Sequence, residues 1–138
     1  MGILDGKKAL VFGIANERSI AWGIAQELKN QGAQVAFSYM NDAIQKRVEP
    51  LAEKIGADFT FQMDVANDED YKKLPEVIKE KWGNFDILVH SIAFADRADL
   101  KDSFVKTSRE GFKLALELTN EIVTDLINFE LYKDIKNK

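Results

Sequence analysis

The stretch Lys8-Ala-Leu-Val-Phe-Gly-Ile-Ala-Asn-Glu-Arg-Ser-Ile-Ala-Trp-Gly23 decides which fold this sequence can adopt. It begins with a short, almost wholly apolar run that ends in glycine, and a helical pattern starts at Ile20. Near-continuous apolar runs of this length are typical of strands that are buried on both faces of a parallel sheet. Three further β-rich runs follow along the chain, at Ala33–Tyr39, Asp58–Met63 and Phe85–Ile92.

Helical patterns separate these four runs. The first helix is predicted to bury the apolar stripe Ile20, Ile24 and Leu28. Starts of the later helices are expected at Asn41 or Asp42, at Asn67, and at the capping-box pattern Thr107-Ser-Arg-Glu110. Glycines at which the first three helices should stop lie at positions 32, 56 and 83.

This alternation predicts an α/β fold. The order β-α-β-α-β-α-β with right-handed crossovers gives a Rossmann-type half sheet, with parallel strands in the order 3-2-1-4 and helices on its faces. The 138 residues fit one domain. We expect residues 1–118 to form the dinucleotide-binding half of a Rossmann domain and residues 119–138 to form a divergent helical tail.

Composition excludes several classes of function. The chain has no cysteine and one histidine, His90, so neither a disulfide framework nor a metal site is expected. We predict that His90 is a hydrogen-bonded core residue rather than a catalyst. A net charge of −4 argues against nucleic-acid binding, and no apolar run is long enough to span a membrane. A soluble, cytoplasmic domain is expected.

The loop after the first strand is the first candidate site. Gly13 would let a pyrophosphate approach the backbone, and the N–H groups at Ser19 and Ile20 would face it at the start of a helix. Gly23 would let that helix lie close to the strand. Because the usual G-x-G-x-x-G spacing is absent, a strand-helix turn without a ligand remains an equal alternative.

Several segments of the sequence resemble the bacterial enoyl-acyl-carrier-protein reductases, a divergent branch of the short-chain dehydrogenase/reductases. The similarity lies in the loop Gly13–Ala25, the opening Met1–Lys7, Gln62-Met-Asp-Val65, His90-Ser-Ile-Ala-Phe-Ala95 and Thr107–Lys113. The segment His90–Ala95 is the most specific of these. The resemblance covers residues 1 to about 118.

The resemblance implies roles for individual residues. Residues implied to hold the pyrophosphate and the adjoining ribose are Gly13, Ala15, Ser19 and Ile20. Asp64 and Val65 would meet the adenine, Ser91 and Ile92 would line the nicotinamide, and Ala95 would touch the acyl substrate. Met40 stands where many relatives carry a polar residue near the ribose. The end of the second strand carries no basic cluster, so NADH is favoured over NADPH.

No catalytic residue is predicted in this chain. The family's catalytic Tyr-x6-Lys pair belongs to a second half-fold that we expect to be absent from these 138 residues. Tyr132 and Lys136 have the Tyr-x3-Lys spacing of the wider superfamily. No predicted strand precedes them, however, so we expect these two residues to lie on a solvated helix end.

The sequence therefore leaves three alternative hypotheses for the function. The resemblance implies reduction of a trans-2-enoyl group, carried on acyl carrier protein, by NADH in fatty-acid biosynthesis, with this chain inactive by itself. The alternatives are a non-enzymatic nucleotide-binding or interaction module, and a different dehydrogenase that uses Tyr132 and Lys136. The fourth strand would be left as an apolar sheet edge, so a homo-oligomer is expected.

Overall fold

The computed structural model describes residues 2–93 and 97–116. Four strands and three long helices alternate along the chain, followed by a short helix and a 3₁₀ turn. Their bounds are β1 Lys8–Phe12, α1 Ile20–Asn30, β2 Gln34–Tyr39, α2 Asp42–Ile55, β3 Phe59–Gln62, α3 Asp68–Lys81, β4 Ile87–His90, α4 Arg97–Leu100 and the 3₁₀ turn Phe104–Lys106. The strands form one parallel sheet in the order β3-β2-β1-β4, which confirms the predicted fold class and strand order.

Strand β1 lies inside the sheet and is buried on both faces. It pairs with β2 on one side and with β4 on the other. The side chains of residues 9–12 are fully inaccessible to solvent. Because successive side chains of a strand point to opposite faces, Ala9 and Val11 contact one helical layer while Leu10 and Phe12 contact the other.

Two hydrophobic layers result from this alternation. One layer joins the sheet to α1 and α2 through residues that include Val11, Phe37 and Val48. The second layer joins the sheet to α3 and includes Phe61 and Ile78. Helices on both faces are the arrangement that a parallel sheet requires, since all of its strands are connected by crossovers.

Helix α1 buries a different face from the one that the sequence predicts. Its buried residues are Ala21, Trp22 and Ala25, whereas Ile20 is 78% exposed and Ile24 is 38% exposed. The alanines let the helix backbone approach the sheet, and the Trp22 ring meets the Phe37 ring edge-on at 6.2 Å. The predicted stripe of Ile20, Ile24 and Leu28 is therefore wrong, although Leu28 packs at the border of this layer.

Gly23 does not serve the close helix packing that the sequence analysis assigned to it. The residue is exposed, and a Cβ atom built on it would meet nothing within 4 Å. Small alanine side chains one turn apart, rather than this glycine, bring α1 near the sheet.

The caps of α2 and α3 agree with the sequence analysis. The side chain of Asn41 accepts the N–H of Ile44 at 3.1 Å, and that of Asn67 accepts the N–H of Glu69 at 3.0 Å. Helix α2 ends at Gly56, whose backbone is left-handed with φ at 64°. These contacts satisfy N–H and C=O groups that a helix end would otherwise leave unpaired.

The segment after β4 contains two short elements that the sequence analysis did not predict, α4 and the 3₁₀ turn. Residues 109–116 are helical, and Ser108 caps them, because its hydroxyl accepts the N–H of Gly111 at 3.0 Å. The predicted cap, Thr107, instead donates its hydroxyl to the carbonyl of Phe104. The expected tail at 119–138 lies outside the described residues.

In the described parts of the chain, 2–93 and 97–116, no helix combines the length and the apolar character that crossing a membrane would need.

Candidate functional site

A cleft opens at the carboxyl ends of the strands. It encloses about 240 Å³. Its lining comes from the carboxyl end of β2 and from the segments that follow each of the four strands: Gly13, Ile14, Ala15, Ser38, Tyr39, Met40, Ile44, Met63, Val65, Ser91, Ile92 and Ala93. Parallel strands end on the same side of a sheet, so segments far apart in sequence meet there, which is where open α/β sheets bind their ligands.

The cleft contains six of the residues to which the sequence analysis gave a binding role: Gly13, Ala15, Met40, Val65, Ser91 and Ile92. Three others, Ser19, Ile20 and Asp64, do not line it. Ala95, the implied contact to the acyl substrate, lies outside the described residues. The structure thus brings together residues from all four post-strand segments, although not every residue that was expected.

Gly13 is required by the fold itself. Its φ is +106°, a conformation that residues with a Cβ rarely adopt, and a Cβ there would collide with the carbonyl group of Ser91. The N–H of Ser91 donates to the carbonyl of Phe12 at 3.1 Å, which holds the two chain segments together. The sequence analysis explained this glycine by the approach of a pyrophosphate. The structure adds that the backbone of Ser91, directly after β4, already occupies the space beside it.

Ser19 organises the loop between β1 and α1. Its hydroxyl oxygen accepts the N–H of Ala15 at 2.9 Å and the N–H of Asn16 at 3.1 Å. The same side chain makes no capping bond to α1. The side chain of Ser19 therefore does not cap α1, although its carbonyl accepts the N–H of Trp22 at 3.0 Å. A helix N-terminus favours an anion.

Ile20 lies at the start of α1 and does not line the cleft. Its side chain points into solvent and is 78% exposed, while its position as the first residue of α1 puts its N–H at the helix start. The carboxylate of Asp64 turns back to accept the N–H of Ala66 at 3.0 Å. That contact is the turn-forming role that Asp often has, and the flanking residues Met63 and Val65 line the cleft in its place.

Tyr39, at the end of β2, is a cleft residue that the sequence analysis did not select. Burial raises the pKa of its phenol above the ordinary value. Nearby carboxylates, those of Glu49, Asp42 and Asp70, raise the pKa further. The phenol is therefore a neutral hydrogen-bonding group at neutral pH.

Tyr39 and Lys46 happen to have the Tyr-x6-Lys spacing. They do not form an acid/base pair, because Tyr39 ends a strand while Lys46 is exposed on α2. A catalytic tyrosine beside a lysine needs a lowered pKa, and the pKa of Tyr39 is raised.

His90 is half-buried on β4, and its Nε2 atom is shielded from solvent with no hydrogen-bond partner among the described residues. The predicted hydrogen-bonded histidine is therefore not observed at this atom. The described residues contain no group of three or more potential metal-ligating side chains.

The other missed lining residues are Ile14, Ser38, Ile44, Met63 and Ala93. Ser38 and Met63 carried a usable signal, since both lie at or just after the carboxyl end of a predicted strand. Ile44 carried none, because only the packing of α2 against β2 brings its first turn to the cleft.

The model of the enoyl-(acyl carrier protein) reductase family matches residues 13–128. The chain belongs to this family. The match continues ten residues beyond the boundary at 118 that the sequence analysis expects, and the nature of the tail stays a prediction.

Named relatives agree with the family model. The curated enoyl-acyl-carrier-protein reductase (NADH) FabI of Aquifex aeolicus is 48% identical over 119 residues, which are 86% of this chain and 44% of that protein. The crystal structure of the Aquifex aeolicus reductase superposes with a TM-score of 0.90 at 45% identity, over 96% of this chain and 52% of that one. The reductase structure from Anaplasma phagocytophilum, in complex with NAD, gives a TM-score of 0.79 at 41% identity, over 85% and 45%.

The chain therefore spans about half the length of the curated relatives it matches. Its parallel sheet and flanking helices correspond to that half of the solved reductase structures.

Gly13→Ala should destabilise the protein strongly. It introduces both backbone strain, on the order of 1–3 kcal/mol, and a collision with Ser91 whose relief costs a similar amount. Gly6 is the matched control, since its φ is +78° but a Cβ there meets nothing within 4 Å, so Gly6→Ala should cost only about 1–2 kcal/mol. Urea unfolding of both variants measures the difference. Equal losses would show that the β1–β4 contact does not constrain position 13.

Proposed function

We propose that this chain binds NADH in the cleft and provides the cofactor-binding part of an enoyl-acyl-carrier-protein reductase. The observation that carries the proposal is the convergence in one cleft of residues after all four strands. Six of the lining residues are ones to which the family resemblance gives cofactor contacts. The presence of these six implied contacts in one cleft favours a cofactor site over a strand-helix turn without a ligand.

The chemistry of the cleft fits a dinucleotide. The uncapped N-terminus of α1 suits the pyrophosphate, and Gly13 keeps the neighbouring backbone free of side-chain atoms. Apolar side chains such as Met63, Val65 and Ile92 offer flat contacts for aromatic rings. The volume of about 240 Å³ is below the roughly 300–1,000 Å³ of most small-molecule sites, so it holds part of a dinucleotide.

The preference for NADH over NADPH rests on the end of β2. Met40 lines the cleft, Asn41 is occupied in capping α2, and Asp42 adds a negative charge. The nearest basic side chains in sequence, Lys46 and Arg47, lie further along α2. The end of β2 itself offers no basic side chain to a 2′-phosphate, and this disfavours NADPH.

The proposed reaction is reduction of a trans-2-enoyl thioester carried on acyl carrier protein, in fatty-acid biosynthesis. NADH, when bound, supplies the hydride. The residues described here would bind and orient the cofactor, and we assign none of them to proton transfer. We propose the cytoplasm as the location and acyl carrier protein as the substrate carrier. Ala95 remains the proposed contact to the acyl group.

We also propose that the chain forms a homo-oligomer. Within the described strands, β4 pairs only with β1, and its residues are half-buried. The segment that follows exposes large apolar side chains, with Leu100 at 70%, Phe104 at 83% and Val105 at 91% exposure. Exposed apolar surface and a strand edge both favour association with another chain.

Titration calorimetry with NADH tests the cofactor proposal. Ala15→Leu places three more carbon atoms in the cleft and should weaken NADH binding by at least about tenfold, which is roughly 1.4 kcal/mol. Ala43→Leu is the control, because Ala43 is exposed on α2 and does not line the cleft. NADH binding that is absent from the unaltered chain, or equal in the two variants, would refute the assignment.

The isolated chain should not reduce a crotonyl thioester with NADH, since the described residues provide no acid/base pair at the cleft. Loss of NADH absorbance, measured with and without the protein, checks this expectation. Turnover that disappears in Tyr132→Phe would instead favour the alternative that uses Tyr132 and Lys136. Nucleotide binding without any turnover is also what a non-enzymatic module would show, so adding the second half of the Aquifex aeolicus reductase as a separate chain distinguishes the two.

Sedimentation equilibrium over an approximately tenfold dilution should show an oligomer that dissociates, because mass action separates a weak complex. Replacing Leu100 and Phe104 by serine should shift the equilibrium toward monomer if the exposed apolar side chains mediate association. A monomer at every concentration would contradict the proposal.

A further inference from the structure

Asp70 is the one charged side chain that is buried in the described parts of the chain, with 5% of its surface exposed. It lies in the first turn of α3, two residues after the start of the helix. Burying a carboxylate is costly unless hydrogen bonds or nearby positive charge offset the loss of hydration. The start of a helix provides part of that compensation through its dipole.

The rest of the compensation comes from the turn that precedes the helix. One carboxylate oxygen of Asp70 accepts the N–H of Asp64 at 2.8 Å, across six positions of the sequence. The carboxylate of Asp64 in turn accepts the N–H of Ala66, and the carbonyl of Asp64 accepts the N–H of Asn67 at 2.9 Å. The β3–α3 turn is thus held by side-chain and backbone bonds that centre on Asp64.

This turn carries one wall of the cleft. Met63 and Val65, on either side of Asp64, both line it, whereas Asp70 does not. The opposite wall is formed by Ser91 and Ile92, after β4. In the order β3-β2-β1-β4, three strand intervals of about 4.8 Å separate these walls, or roughly 14 Å.

We infer that Asp70 is a positioning residue for the adenine-side wall of the cleft, acting through the N–H of Asp64. This inference rests on the proposed function, since it concerns the same cleft. Because the two walls are far apart, Asp70 should affect ligands that occupy the β3 side and leave the β4 side unchanged. The ligand class that depends on it is adenine nucleotides.

Three variants separate positioning from general stability. Asp70→Ala removes the acceptor, whereas Asp70→Asn removes the charge and keeps an oxygen that can accept the same N–H. Asp68→Ala is the matched control, because Asp68 lies in the same first turn of α3 but is exposed. It removes the same charge from the helix N-terminus without touching the turn.

The ligands are ADP, which presents only the adenine end, and reduced nicotinamide mononucleotide, which presents only the other end. We expect Asp70→Ala to weaken ADP binding by about tenfold, the effect of losing one such bond. The mononucleotide should bind within about twofold of the unaltered chain, and Asp70→Asn should restore most of the ADP affinity. Asp68→Ala should leave both affinities unchanged.

Amide hydrogen exchange of the ligand-free chain gives a second measurement. The N–H of Asp64 should be protected in the unaltered chain, in Asp70→Asn and in Asp68→Ala, and should exchange faster in Asp70→Ala. Unprotected Asp64 in the unaltered chain would overturn the inference.

The outcomes distinguish the two proposals. Normal ADP binding by a folded Asp70→Ala, or equal losses for ADP and the mononucleotide, would overturn the role of Asp70 and leave the proposed function intact. Failure of the unaltered chain to bind either ligand would overturn both the nucleotide assignment and the positioning role, whatever the exchange rates show.

Discussion

The double-sided burial of β1 is the constraint on which the rest of the molecule depends. Residues 9–12 are inaccessible on both faces, and the strand is paired along both edges. Each large side chain buried in this way contributes about 1.5–3 kcal/mol, and together they fix the order of the sheet. The register that pairs Val11 with Val89 and Phe12 with His90 then sets where the chain leaves β1 and β4. Gly13 and Ser91 meet because of that register.

The loop after β1 forms part of the proposed binding surface, and its shape follows from the burial and register of β1. Gly13 turns the chain where no Cβ fits, and Ser19 satisfies the N–H groups of the loop that would otherwise lack partners. The hydroxyl of the serine is thereby unavailable to cap α1, so the positive end of this helix dipole has no side-chain cap from Ser19. A loop that is already held in shape by its own hydrogen bonds loses little entropy when a ligand arrives, and such preorganisation favours affinity.

The two ends of the cleft differ in how they are supported. The β3 side rests on a turn that is fixed by carboxylates within the described residues, those of Asp64 and Asp70. The β4 side adjoins a strand that has one described neighbour and half-buried side chains. In the proposed reductase, recognition of the adenine end is therefore intrinsic to this chain, while the nicotinamide end, where hydride leaves the cofactor, adjoins the sheet edge. A separation of this kind agrees with the proposal that this chain binds the cofactor and with the expectation that it does not turn over substrate by itself.

The sequence by itself determined the order of strands and helices, the parallel sheet, the caps at Asn41 and Asn67, and six of the twelve residues that line the cleft. These features depend on local periodicity, on glycine and asparagine chemistry, and on the rule that parallel strands end on one side. Only the tertiary structure decided which face of α1 is buried, because Ala21 and Ala25 are selected by the distance to the sheet and not by their hydrophobicity. It also decided that position 13 must be glycine, because a Cβ there would collide with the carbonyl group of Ser91. The tertiary structure further places the carboxylate of Asp70 where it accepts the N–H of Asp64. Contacts between residues that are far apart in sequence, or that join a helix to a turn, depend on packing and register, which no local pattern encodes.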